Sequence, residues 1–240
     1  MLGQFLEFSF ASRPLAEAYD FYRSLGFTSI EVGDQLRDPY VVLFDGDVAI
    51  GLHDRDQPGP VLTFVRPRLR DYVRALRRVR VDVEQAHLAD DEFNHVGFSD
   101  PNGQAVTLLE ARTFAPGEWN RQNVSACGRF LEYSLSTHSL EESRAFWEPL
   151  GLSPVADGQS PHDWVRLAGH GLVLGIHQAR FRSGLCFRSD QVEARLEYLR
   201  AKGVSVRPGG PHSERIRETA MLSAPGGDAI YLVESAEQAH

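Results

Sequence analysis

Two glutamates and two histidines are the residues of this chain best suited to chemistry. Glu7 stands in Phe5-Leu6-Glu7-Phe8-Ser9-Phe10 and Glu132 in Phe130-Leu131-Glu132-Tyr133-Ser134-Leu135, while His53 closes Gly51-Leu52-His53 and His177 closes Gly175-Ile176-His177. A carboxylate and an imidazole together allow three things. They can share a hydrogen bond in a polar cleft, with no further role. They can act as a general acid/base dyad in which Glu orients His and raises its pKa, so that it accepts a proton near neutrality. With water or substrate they can form part of an atypical metal site, although a divalent first-row ion wants three or four such donors.

These groups recur because the chain is duplicated. Ala18-Tyr19-Asp20-Phe21-Tyr22-Arg23-Ser24-Leu25-Gly26-Phe27 answers to Arg144-Ala145-Phe146-Trp147-Glu148-Pro149-Leu150-Gly151-Leu152. Asp100-Pro101-Asn102-Gly103 answers to Ala224-Pro225-Gly226-Gly227, each ahead of an apolar run that ends in Glu110 or Glu234. Corresponding positions lie 124 or 125 apart, a spacing that marks two units within the 240 residues. The expected boundaries are 1–112 for the first domain, 113–127 for a linker around Phe114 and Trp119, and 128–240 for the second domain.

The elements that must position the four groups follow from periodicity. From Gln4 to Ala11 the pattern alternates, with Leu6, Phe8 and Phe10 on one face and Glu7, Ser9 and Ala11 on the other. Ser12 and Pro14 open a helix striped by Leu15, Ala18, Tyr19, Tyr22 and Leu25, which Gly26 closes. Strands are expected at Phe27–Val32, Tyr40–Phe44 and Val48–His53, with Asp45-Gly46-Asp47 as a hairpin turn. In the last of these, Ala49 and Gly51 leave space beside His53.

The same grammar restarts with strand Val61–Val65, a helix carrying Leu69, Tyr72, Val73 and Leu76, and strands at Val79–Val83, Asn94–Phe98 and Ala105–Leu109. The second half repeats the programme. Ser139 with Glu142 and Asp190 with Glu193 form capping boxes, and strands run over Phe130–Ser136, Val165–Ala168, Leu172–His177, Gly184–Arg188, Thr219–Ser223 and Ala229–Val233. The approach around Val155 reads as mostly irregular.

Composition narrows the partners. A net charge of −8 argues against a nucleic-acid partner, and the arginines between Arg66 and Arg80 read as a solvated helix face. Cys127 and Cys186 have no CxxC or Cys/His spacing, so neither a disulfide framework nor structural zinc is expected. No signal-like N-terminus or apolar window of about 18 residues occurs, which points to a cytoplasmic protein without a membrane partner. Asp90-Asp91-Glu92 lacks EF-hand spacing and reads as a solvated loop, and His95 reads as a strand-end surface residue.

Four β-α-β-β-β modules, the FYRSLGF run and the DPNG turn together resemble the vicinal oxygen chelate superfamily, which includes glyoxalases, bleomycin-resistance proteins and extradiol dioxygenases. The resemblance implies an α+β fold of two tandem glyoxalase/bleomycin-resistance-like domains, each a curled mixed sheet with a ligand on its concave side. It places the family's metal-ligand points at Glu7, Gly51, Val61 and Thr107 in the first half and at Glu132, Gly175, Gly184 and Tyr231 in the second. One carboxylate per half is too few for the standard metal site, so no cofactor is expected beyond a weakly bound divalent metal.

If the first and fourth strands are neighbours, as the resemblance implies, Glu7 meets His53 and Glu132 meets His177. These four are the catalytic and weak metal candidates, with Ser9, Gly51, Trp164, Gly175 and Tyr231 lining the ligand. The expected function is binding of a small organic molecule. The alternative is a metal-dependent or Glu/His-dependent lyase, isomerase or dioxygenase, and exposed sheet edges allow a homodimer.

Overall fold

The computed structural model of the chain describes residues 2–30, 39–57, 59–89, 93–111, 125–212 and 219–234. The first half runs β1 (Gln4–Ala11), α1 (Leu15–Ser24), β2 (Thr28–Ile30), β3 (Tyr40–Phe44), β4 (Ala49–His53), β5 (Val61–Arg66), α2 (Leu69–Arg78), β6 (Gln85–His87), β7 (His95–Ser99) and β8 (Ala105–Glu110). The second half runs β9 (Arg129–Ser136), α3 (Leu140–Trp147), β10 (Ser153–Gly158), β11 (Trp164–Gly169), β12 (Leu172–His177), β13 (Gly184–Ser189), α4 (Val192–Ala201), β14 (Val206–Pro208), β15 (Thr219–Ser223) and β16 (Ala229–Glu234). This is the expected set of four β-α-β-β-β modules.

Modules pair within each half. The first sheet is ordered β2-β3-β4-β1-β5-β8-β7-β6 and the second β10-β11-β12-β9-β13-β16-β15-β14. In each, the first strand of one module pairs antiparallel with the first strand of the next and parallel with its own fourth strand. Glu7 and His53 therefore sit on adjacent strands, as do Glu132 and His177.

The main apolar core lies between the two halves. Phe8 of β1 stacks on Tyr133 of β9 with ring centroids 5.0 Å apart, and Phe98 of β7 meets Phe146 of α3 at 6.2 Å. Polar links fix the docking: Trp147 Nε1 donates to Asp100 Oδ2 (3.2 Å), Asn102 Nδ2 to Ser143 Oγ (3.0 Å), and Thr137 Oγ1 to Asn102 Oδ1 (2.9 Å). The DPNG turn of one half thus binds the first helix of the other. Cys127 is buried in the same core. Both cysteines are free, and among the described residues no helix is long and apolar enough to cross a membrane.

Several local expectations differ from the structure. Strand pairing jumps between Phe5 and Glu7, so Leu6 forms a bulge and the core cluster takes Phe5, Phe8 and Phe10 instead of Leu6. A bulge adds one residue and resets the two-residue alternation. The same jump at Leu131 turns its side chain toward Cys186 and Tyr231, on the opposite face from Tyr133. No strand covers Val79–Val83; the strand there is β6, and Val81 is a buried plug behind α2. The region of Val155 is a strand, β10, held at the sheet edge by β11, with the pairing register jumping between Pro154 and Ala156. Ser139 Oγ accepts the Glu142 N–H at 3.2 Å as expected, but Asp190 caps nothing; Ser189 Oγ accepts the Gln191 N–H (3.0 Å) and Arg195 Nε (2.6 Å) there. The α2 arginines are exposed, with Arg66 lying over the Tyr72 ring. The Asp90-Asp91-Glu92 loop and the Phe114–Trp119 stretch lie outside the described residues.

Asp45 gives one prediction at this level. It is 1% exposed in the β3–β4 turn, where Oδ1 accepts the Asp47 and Val48 N–H groups (2.9 and 2.8 Å). Burial pushes its carboxyl from 3.8 up to about 6. A raised carboxyl pKa favours folding below 3.8, and that contribution is lost as pH rises through about 6, at a cost of about 3 kcal/mol above it. Asp45→Asn keeps the acceptor oxygen without the buried charge. Urea unfolding should show the variant more stable than the parent by about 1–3 kcal/mol at pH 8, with the advantage shrinking below about 1 kcal/mol at pH 4.

Candidate ligand and metal site

The second sheet builds a cluster around Glu132, whose side chain is fully buried. Arg166 on β11 stands opposite Gly175 on β12, and Gly175 opposite Ser134 on β9, which makes one row of residues; Trp164 and His177 pair in a parallel row. The Glu132 side chain leans along its strand over Gly175. A Cβ on Gly175 would overlap the carboxylate, as would one on Gly51 with Glu7. The glycines at these two points are therefore what lets each glutamate reach its histidine.

Both Glu132 oxygens are engaged. Oε1 accepts from Ser134 Oγ (2.9 Å) and faces His177 Nε2 (2.7 Å) and His212 Nε2 (3.1 Å), while Oε2 accepts from Arg166 Nε (2.7 Å). Behind His177, His162 Nε2 lies 3.1 Å from Nδ1. The His177 and His212 rings are perpendicular with centroids 4.8 Å apart, and Trp164 and Phe181 flank His177 at 6.3 and 5.7 Å. Glu132 and His177 form the floor of the trough. The side chains of Arg166 and His212 are each 20% exposed and form its rim with Trp164, Phe181 and His162.

The charge states follow from these neighbours. Burial pushes the Glu132 carboxyl up, but the hydrogen bonds and charges of His177 and His212 together outweigh it and hold the group well below the usual range. Burial pushes His177 down further than Glu132 lifts it, so its imidazole is neutral at pH 7. Burial and the two other imidazoles also push His162 down. Neutral His177 donates through Nε2–H to the carboxylate, which leaves Nδ1 to accept from His162. The charge of Glu132 is balanced by Arg166.

The first sheet carries a reduced version. Glu7 Oε1 accepts from Ser9 Oγ (2.8 Å) and faces His53 Nε2 (3.2 Å), and Oε2 accepts from the Tyr40 hydroxyl (2.6 Å). Ser9 Oγ also meets Thr63 Oγ1 at 2.8 Å. Burial, then the charge of Glu7, push the Tyr40 hydroxyl up, so it stays a donor. Where the second half has Arg166 opposite Gly175, the first has Val42 opposite Gly51. Tyr40, Val42, Phe44, Ala49 and Ile30 cluster on the sheet with it.

All four sequence-predicted Glu and His residues are thus brought together in pairs, with Ser9, Gly51, Gly175 and Trp164 beside them. Tyr231 is not in the hydrogen-bonded network: its hydroxyl donates to the Arg182 carbonyl (2.6 Å) and its ring packs with Cys186, Leu131 and Phe181. Thr63 stands opposite Glu7 and Cys186 opposite Glu132, while Val61 and Gly184 stand opposite Ser9 and Ser134. The bulges at Leu6 and Leu131 move the register by one residue. His95 stacks on His87 (5.6 Å) at the far side of the first sheet. Residue types had not drawn attention to Tyr40, Thr63, His162, Arg166 or His212.

The positions at which the resemblance places metal ligands do not hold a donor set. In the second half these are Glu132, Gly175, Gly184 and Tyr231; burial pushes Tyr231, already hydrogen-bonded, to about 12, and it also pushes up the thiol of Cys186, which stands opposite Glu132. In the first half, Gly51, Val61 and Thr107 contribute no nitrogen, thiolate or carboxylate. Among the described residues, one group of three or more His, Cys, Asp or Glu side chains has its ligand atoms within 4.8 Å of one another: Glu132, His177 and His212. A cavity of about 510 Å³ between the halves, with Tyr133, Arg182 and Asp228 in its wall, contains none of these groups.

No family model and no curated protein matches the chain. Solved structures do. The 2,3-dioxygenase LapB from Pseudomonas sp. KL28 superposes with a TM-score of 0.64 at 17% identity, over 98% of this chain and 94% of that one. A catechol 2,3-dioxygenase gives 0.60 at 16%, over 98% and 88%. A variant of homoprotocatechuate 2,3-dioxygenase from Brevibacterium fuscum gives 0.63 at 14%, over 98% and 72%. The chain therefore has the two-domain fold that these extradiol dioxygenases share.

Proposed function

We propose that this protein binds a small, flat, oxygen-bearing organic molecule in the trough of its second half, and that the first trough is a structural relic of the duplication. The carrying observation is the asymmetry between two equivalent clusters. Glu132 is flanked by Arg166 and two imidazoles, with a third behind His177, under a rim of Trp164 and Phe181, whereas Glu7 is closed off by Tyr40, whose ring lies 4.4 Å from that of His53. A guanidinium and imidazoles beside aromatic faces suit a planar phenol, enol or carboxylate, which offers a π-face to Trp164 and oxygens to the polar side. The names of the solved neighbours include catechol and homoprotocatechuate dioxygenases, so a catechol-like diol is the natural first probe.

Saturation-transfer NMR with catechol and with benzoate tests this. Transfer should occur to at least one probe, disappear in Trp164→Ala, and persist in Tyr40→Ala. Absence of transfer from both probes at millimolar concentration, or transfer unaffected by Trp164→Ala, would sink the proposal.

The enzymatic alternative is favoured by one specific observation. His162, His177 and Glu132 form a chain of hydrogen bonds that ends on a neutral imidazole buried beside a carboxylate, an arrangement able to pass a proton between the rim and the floor.

A further inference from the structure

The points at which the family resemblance sets metal ligands in the second half hold, besides Glu132, two glycines and an engaged phenol. We infer that a divalent first-row cation is held instead by a displaced set, Glu132 Oε1, His177 Nε2 and His212 Nε2. One of the three donors is on a family point. The second lies two residues further along β12, beyond the glycine that makes room for the carboxylate, and the third lies in the turn after Pro208-Gly209-Gly210-Pro211. The site lies within the trough assigned above to the organic ligand, but it stands or falls on the protein alone.

Three features of the geometry carry the inference. The two imidazole nitrogens lie 2.7 and 3.1 Å from the same carboxylate oxygen. Donors that each sit about 2.0–2.2 Å from a shared ion are separated by about this much, so a small contraction or expansion of the cluster would seat one. The perpendicular His177 and His212 rings bring two nitrogens to one point from different directions. The outer partners are also those a metal site uses: His162 on the far nitrogen of His177, and Arg166 on the far oxygen of Glu132. Such contacts fix ring orientation and keep the carboxylate ionised.

Two histidines and one carboxylate from one side leave the remaining coordination positions to water or an organic oxygen. With Arg166 already balancing Glu132, a bound dication leaves the trough with an excess of positive charge. The ligand it then favours is an anion with two neighbouring oxygens, able to chelate. The first half cannot repeat this, since Glu7 and His53 are joined there by the Tyr40 hydroxyl and by no third donor among the described residues.

The test is a titration of chelator-treated full-length protein with Co²⁺ and Zn²⁺, read by calorimetry and, for cobalt, by visible absorption. One ion per chain is expected. His212→Ala, at the partly buried rim, should fold and bind about 100-fold more weakly, and His212→Asp should recover part of the loss. His162→Ala should weaken binding about tenfold through its effect on His177, whereas Glu7→Gln should leave affinity unchanged. Circular dichroism establishes that each variant is folded. No binding at millimolar metal, binding untouched by His212→Ala, or binding lost in Glu7→Gln would each overturn the inference. Catechol or benzoate transfer that depends on Trp164 in metal-free protein would survive any of those outcomes, so failure here is distinct from failure of the trough assignment.

Discussion

Gly175→Ala should cost about 3 kcal/mol of stability and remove ligand and metal binding from the second trough together. The added methyl would occupy the space of the Glu132 carboxylate. Insertion of a methylene into a packed site costs about 1–3 kcal/mol, and displacing the carboxylate also breaks its contacts with Arg166, His177 and His212. Gly51→Ala meets Glu7 in the same way and should carry a similar stability cost, yet leave binding intact. Urea unfolding of the two variants, with a catechol titration of each, reads both effects. Equal loss of binding in both would mean that the troughs work together.

Arg166→Ala is the second large effect, expected at about 3 kcal/mol, because it strands a fully buried carboxylate. Loss of one partner from a buried pair typically costs about 3–5 kcal/mol, and the 20% exposure of Arg166 places this case at the lower end. Adding Glu132→Gln to Arg166→Ala should restore part of the loss, since the stranded charge is then gone. A double-mutant cycle should return a coupling of at least about 1 kcal/mol. Among the described residues no arginine or lysine is hydrogen-bonded to Glu7, which accepts from two hydroxyls, so Glu7→Gln should cost about 1 kcal/mol, the worth of an ordinary hydrogen bond. Similar costs for Glu7→Gln and Arg166→Ala would remove the asymmetry on which the functional reading rests.

The duplication explains why so much of this is legible in the sequence. Repeated residues at a fixed offset identify the halves, the strand period puts Glu7 on the face away from the core, and Ala49 and Gly51 leave space beside His53. The sequence pattern failed where the backbone departs from simple counting. The bulges at Leu6 and Leu131 each shift the pairing by one residue, which sets Thr63 opposite Glu7 and Cys186 opposite Glu132. Bulges leave little trace in hydrophobic alternation, because Leu6 and Leu131 are apolar on either face.

Arg166 was within reach in principle. Counting back through the tight turn at His170 and Gly171 sets Arg166 opposite Gly175, a step that alternation alone did not suggest. His212 was not within reach, because it lies in a Pro/Gly turn with no periodicity, and nothing in its local sequence ties it to a strand eighty residues earlier. Its role depends on tertiary packing: Gly210 lies against the Tyr231 ring, and the turn that follows brings His212 to Glu132.

Chemical-shift mapping of the same catechol titration on ¹⁵N-labelled wild-type protein decides most directly which trough works. The account predicts shifts concentrated at the Trp164 indole, Arg166, Gly175 and Phe181, with Tyr40, Gly51 and His53 unmoved. Shifts centred on Tyr40 and Gly51, or spread equally over both sheets, would contradict it.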